Sequence, residues 1–182
     1  MLVAASNALQ GVDPRNGEVL WWCAAHGDTV SPVLGDGLVY LDSGRGGPSV
    51  AVDPTGRGDV TGTHRKWHLR NVPEGFSSPV IVGGYLYRLC NPETLRCWKL
   101  ADGEEVFKER LPGVSTASSP FTTPEGRIYF ASAGKSYVVK AGAKLEILAV
   151  NDLGDGSQAS PAVADGCIFL KGRKQLYCIG NR

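Results

Sequence analysis

Ser31-Pro32-Val33-Leu34-Gly35-Asp36-Gly37-Leu38-Val39-Tyr40 decides the fold, because its pattern returns three times along the chain. Ser78-Pro79, Ser119-Pro120 and Ser160-Pro161 open the other copies, with their prolines 47, 41 and 41 residues apart. Each Ser-Pro is followed by a glycine, at Gly37, Gly84, Gly126 and Gly166, and three residues later by an aromatic, at Tyr40, Tyr87, Tyr129 and Phe169. The template is Ser-Pro-x4-Gly-x2-aromatic, with one residue inserted in the third copy. Repetition at this period marks an architecture built from stacked units.

The physics of one unit can be read directly. Proline cannot donate to a strand ladder, so Pro32 suits a strand start. Val33 and Leu34 then form a short strand. Gly35-Asp36-Gly37 forms a turn, since glycine supplies positive φ and aspartate bonds its own backbone. Leu38 to Leu41 is apolar on both faces and reads as a buried strand. Ser49 to Val52 is a third strand, Asp53-Pro54-Thr55-Gly56 a turn, and a fourth strand leads to Trp67. The next copy runs Pro79–Val82, Tyr85–Cys90, Leu95–Leu100 and Glu104–Lys108. The one after it runs Pro120–Thr123, Arg127–Ala131, Ser136–Lys140 and Leu145–Val150. Four short antiparallel strands in about 40 residues make one propeller blade. The repeated aromatics pack between blades, with Trp21, Trp67 and Phe107 closing the fourth strands.

Composition agrees with this reading. The 24 Gly and 11 Pro among 182 residues disfavour helix interiors. A 42% hydrophobic content is enough for a core. With 19 Lys+Arg against 18 Asp+Glu, nothing in the charge calls for nucleic acid. The basic run His64-Arg65-Lys66-Trp67-His68-Leu69-Arg70 reads as a solvated loop. No apolar run reaches the ~18 residues of a transmembrane segment, and Met1 to Ala5 does not read as a signal peptide. The five cysteines form no C-x-x-C. Cys167 and Cys178 would face each other across a two-residue turn at Gly172-Arg173. Two small buried apolar residues are the plainer reading of that pair. Arg57-Gly58-Asp59 spells an adhesion tripeptide, but its Gly-rich setting reads as a local turn. His64 and His68 lie in a strand-and-loop region where their spacing does not converge on a metal.

A second recurring piece points to a family. Gly11-Val12-Asp13-Pro14-Arg15-Asn16-Gly17-Glu18-Val19-Leu20-Trp21 resembles the repeat of PQQ-like β-propellers. Leu100-Ala101-Asp102-Gly103-Glu104-Glu105-Val106-Phe107 is the same piece with Phe for Trp. Ala51-Val52-Asp53-Pro54-Thr55-Gly56 begins it and then diverges. Ser160–Gly166 and Leu176–Gly180 resemble the C-terminal blade of bacterial PQQ-binding-like repeat propellers. The resemblance spans the chain. It implies a superfamily shared with quinoprotein alcohol dehydrogenases and an outer-membrane assembly lipoprotein. Those dehydrogenases hold PQQ between a Trp and a disulfide of adjacent cysteines, with calcium and an Asp base. Here no cysteines are adjacent, and Asp13, Asp53, Asp102 and Asp165 occupy turn positions. The sequence therefore assigns no catalytic, cofactor-binding or metal-binding residue, and no cofactor is expected.

The expected fold is all-β: a partial β-propeller of three complete four-stranded blades plus two partial blades. Blade pieces fall at about 1–30, 31–76, 77–117, 118–158 and 159–182, giving eighteen strands in a single domain. The first piece offers Leu2–Ala5, Ala8–Val12 and Val19–Cys23. The last stops after a third strand. The chain reads as the C-terminal half of a longer propeller. Its expected role is a non-catalytic scaffold or protein-interaction module. Its expected partner is a second copy or the missing N-terminal half. The alternatives are a segment of a quinoprotein dehydrogenase whose PQQ and calcium site lies on other blades, and a cell-envelope assembly factor. Full-length relatives imply the periplasm, cell envelope or secretion.

Overall fold

The computed structural model describes residues 1–156 and 158–180. Blade 1 comprises β1 (Leu2–Ala5), β2 (Ala8–Val12) and β3 (Val19–Ala24). Blade 2 begins with β4 (Val33–Gly35), β5 (Leu38–Asp42) and β6 (Gly47–Val52). The short β7 (Gly58–Asp59) follows in sequence, and β8 (Arg65–Val72) completes blade 2. Blade 3 comprises β9 (Val80–Val82), β10 (Tyr85–Cys90), β11 (Thr94–Lys99) and β12 (Glu105–Arg110). Blade 4 comprises β13 (Phe121–Thr122), β14 (Arg127–Ser132), β15 (Lys135–Lys140) and β16 (Glu146–Asp152). Blade 5 holds β17 (Ala162–Ala164), β18 (Cys167–Lys171) and β19 (Leu176–Ile179). The architecture is a partial all-β propeller of antiparallel blades, and no sheet closes on itself.

Each Ser-Pro proline immediately precedes a first strand, where its missing N–H costs no ladder bond. The serines have a separate task. The Ser31 N–H donates to Ser78 Oγ at 3.0 Å, Ser78 N–H to Ser119 Oγ at 2.9 Å, and Ser119 N–H to Ser160 Oγ at 2.9 Å. One hydroxyl per blade thus accepts from its predecessor, and the repeated dipeptide links blade to blade. The first strands also lie side by side, β4 against β9 and β9 against β13.

Three apolar clusters fill the seams. Leu9, Trp21 and Cys23 of blade 1 meet Val39, Leu41 and Val52 of blade 2. Tyr40 and Trp67 meet Leu86, Trp98 and Leu100. Tyr87, Leu89 and Cys97 meet Ile128, Phe130 and Val139. The repeated aromatic side of each blade therefore faces the next blade. Polar ties accompany these contacts. The Trp67 indole N–H donates to the Leu100 carbonyl at 2.7 Å, and Tyr87 Oη exchanges hydrogen bonds with the Gly142 backbone. Trp21 lies so close over Gly11 that a Cβ there would fall 2.2 Å from the indole nitrogen. That contact explains glycine in the middle of β2.

Three expectations need correction. Among the described residues the strands number nineteen, because residues 58–59 pair in parallel with Trp21 and Trp22 of β3. The Arg57-Gly58-Asp59 segment is therefore an edge clasp on blade 1 rather than a free local turn. Val60 is fully buried behind it, its N–H donates to Trp22 O, and Thr61 Oγ1 accepts from Ala24 N–H. Six extra residues in this repeat, against the 41-residue spacing, supply the clasp. The basic run is not a loop either: Arg65–Val72 is β8, with Trp67 turned into the core and Lys66 and His68 exposed. Finally, Cys167 and Cys178 are not directly opposed. Phe169 pairs with Cys178, because the Gly172 N–H bonds Gln175 O and the connection spans residues 172–175. The two cysteines sit diagonally, both as free thiols, and the Cys178 thiol is pushed up by its hydrogen bond with Cys167.

Candidate interaction surface at the fifth blade

The seam between blades 2 and 3 shows what a finished interface looks like in this fold. Arg88 Nε and Nη2 donate to the two Asp42 carboxylate oxygens at 2.6 and 2.7 Å, and Nη2 also reaches Gly75 O at 2.8 Å. Both side chains are buried, at 0% and 2% exposure. Arg88 lies between Tyr87 and Leu89 in a strand otherwise apolar, and the guanidinium in such a run was the one signal of this pair. A buried ion pair survives only when its remaining donors are also satisfied. Here the carbonyls of Pro73 and Gly75 do so.

The seam between blades 4 and 5 is built differently. Leu170 is the one apolar residue of blade 5 that is buried among those described. A cavity of about 310 Å³ lies between the blades, lined by Phe121, Tyr129, Val138, Ile168, Leu170 and Ile179. Phe121 and Tyr129 stack within it at 4.9 Å. Beside it opens a polar cavity of about 870 Å³, bounded by Ser115, Ala133, Gly154, Gly156, Gln158, Lys171, Arg173 and Lys174.

Asp155 holds this seam together. Its carboxylate accepts from the backbone N–H groups of Arg173, Lys174 and Gln175 at 2.9 to 3.2 Å and from the Tyr177 hydroxyl at 3.2 Å. Burial pushes its carboxyl up, but the amides of Lys174, Gln175 and Arg173 outweigh that and hold it below the usual carboxylate range. Gly172 is required here, since a Cβ would sit 2.1 Å from Asp155 Oδ2.

The outer side of blade 5 is uncovered. Of the exposed large hydrophobics among the described residues, Leu176 lies on this face with Phe169 and Cys178, whereas Val163 and Ile179 pair with Ile168 on the face toward blade 4, and Ile147, Leu148 and Val150 belong to the outer strand of blade 4. The register places Ala162, Phe169 and Cys178 across from one another, as it places Val80, Tyr87 and Cys97 in blade 3. Tyr87 and Cys97 are fully buried under blade 4, whereas Phe169 is half-buried and Cys178 exposed. The edge of β19 has no strand partner among the described residues, while third strands β6, β11 and β15 each have a fourth beside them. Outer strands β8, β12 and β16 carry charges, a common guard against edge pairing. Leu176-Tyr177-Cys178-Ile179 carries none.

The aspartates read as turn residues do serve turns. Asp13 accepts from Arg15 N–H, Asp53 from Thr55 N–H and Asp102 from Glu104 N–H. The Thr55 hydroxyl and amide, with Lys66, draw Asp53 down to about 2.

Comparison with solved structures identifies the fold. BamB from Moraxella catarrhalis superposes on 99% of the chain with a TM-score of 0.77 at 15% identity. The fold is that of a PQQ-like β-propeller. Quinohemoprotein alcohol dehydrogenase ADHIIG from Pseudomonas putida HK5 shares this PQQ-like fold over 99% of the chain, with a TM-score of 0.68 at 14% identity. The computationally designed Ika8 protein matches over 97% at a TM-score of 0.58 and 11% identity. The chain spans 54% of BamB's length and 38% of the dehydrogenase's. No family model and no curated protein matches the sequence.

Proposed function

We propose that the chain is a protein-interaction module, a propeller segment that seats another polypeptide on the uncovered side of blade 5. The observation that carries this reading is the uncovered face of Ala162, Phe169, Leu176 and Cys178 beside an uncharged open strand edge, where the equivalent Val80, Tyr87 and Cys97 of blade 3 are covered by blade 4. Contiguous exposed apolar surface marks interaction sites, and open edges accept added strands. The blade face that covers its neighbour at every inner seam is presented here to a partner. A second copy of the chain matches that geometry and is the occupant put to the test.

The test is sedimentation velocity over a wide concentration range, with the variant Leu176→Ser beside the unmodified chain. The module reading expects concentration-dependent association that the variant weakens. A monomer at every concentration overturns it. A second measurement addresses the catalytic reading that the dehydrogenase likeness raises. PQQ with calcium, added to the chain, is expected to leave the cofactor's absorbance unchanged. A spectral shift with alcohol-dependent dye reduction would replace the module reading with an enzymatic one.

A further inference from the structure

We propose that the polar cavity between blades 4 and 5 is a binding site for an acidic segment of polypeptide. The proposal rests on the protein-interaction reading and names a second, chemically distinct contact within it. Charge pairing around the turns supplies the argument. In blade 2 the turn residue Arg45 is held by Asp28 at 2.6 Å. In blade 3 the turn residue Glu93 is held by Arg110 at 2.8 Å and by the Gly113 N–H. The corresponding turn of blade 5 places Lys171, Arg173 and Lys174 around the cavity, and none has an ion-pair partner among the described residues. Among the described residues the Lys171 ammonium meets only the Gly172 carbonyl.

Asp155 is the one carboxylate among the described residues lining this cavity, and its oxygens are already taken by three backbone amides and Tyr177. It rigidifies the turn rather than neutralising the side chains that project from it. The cavity therefore presents an excess of positive charge on a fixed backbone, which lowers the ordering cost of binding. Its volume of about 870 Å³ admits several residues of extended chain. Its remaining wall suits a peptide backbone: Ser115 and Gln158 offer polar groups, and Gly154 and Gly156 allow close approach.

The experiment titrates the full chain into fluorescein-labelled hexaglutamate and follows anisotropy at low and at 200 mM salt. Saturable binding is expected, weakened by salt and absent for labelled hexaserine. Arg173→Gln/Lys174→Gln is expected to weaken it about tenfold, from two lost solvent-facing charge contacts. Both side chains are exposed, so an unchanged far-UV spectrum confirms folding. Absence of binding, or equal binding by the double variant, overturns the proposal. Inorganic pyrophosphate competing as strongly as unlabelled hexaglutamate also overturns it, by showing a site for free anions. Leu176→Ser leaves the cations in place. Unchanged peptide binding by that variant separates this site from the apolar surface, whatever the fate of self-association.

Discussion

Two seams of one repeat protein have diverged. Between blades 2 and 3, Tyr40, Trp67, Leu86 and Trp98 close the interface, and the Asp42–Arg88 pair lies wholly within it. Between blades 4 and 5 the same repeat leaves two cavities, one buried leucine and a carboxylate that binds backbone amides. The Ser-Pro serines link all four repeats alike, so the axis-side tie is common to both seams. The difference lies further out, in the side chains of the second and third strands. A repeat backbone can thus be kept constant while one seam serves stability and another stays open for partners.

The contrast predicts unequal responses to mutation. Arg88→Ala is expected to cost about 3–5 kcal/mol in urea unfolding, because it leaves Asp42 buried without its counter-charge. A loss under 1 kcal/mol would mean that the inner seam does not depend on this pair. Leu86→Ala, at a fully buried position, is expected to cost about 2–5 kcal/mol. Ile168→Ala, half-buried beside the existing cavity, is expected to cost about 1 kcal/mol. Equal losses for the two would erase the distinction between seams. At the first blade, Val60→Ala is expected to cost about 1–2 kcal/mol by loosening the clasp. It should also speed amide exchange in β3 while leaving β10 unaffected.

Acid provides the gentlest probe. Asp155 is depressed in the folded state, so its contribution is complete above the ordinary aspartate range near pH 4. It is lost as pH falls through the lower folded value. Amide exchange at 173–175, corrected for intrinsic pH dependence, is therefore expected to accelerate below about pH 4. Asp155→Asn should show the faster exchange already at neutral pH. An unchanged turn in that variant would remove Asp155 from its structural role.

Most of the fold was legible because its signals were local and repeated. Ser-Pro, the glycine turn and the aromatic located fourteen strands of blades 1 to 4 within one or two residues of their observed bounds. The strand to Trp67 was anticipated, though its basic run also read as loop. What escaped the sequence depended on distant partners. The β7 clasp needs blade 1 to be recognised, and the inserted residues alone looked like a turn. The serine hydroxyls act across 41 and 47 residues, so the repeat displayed them without revealing their role. The last hairpin slipped by two residues because Gly172-Arg173 resembles a tight turn, whereas Asp155 captures a longer one. The candidate surface was invisible for a simpler reason. Leu176 looks like a core residue, and it is exposed because β19 has no fourth strand and no covering blade beside it among the described residues.

Residue-resolved native-state amide exchange, followed as protein concentration rises, tests the central claim most directly. At the lowest concentration, β18 and β19 are expected to exchange far faster than β10 and β11. Protection should then grow in β17–β19 alone as association proceeds. Protection of blade 5 equal to that of blade 3 in the dilute monomer would contradict an open, partner-seating fifth blade.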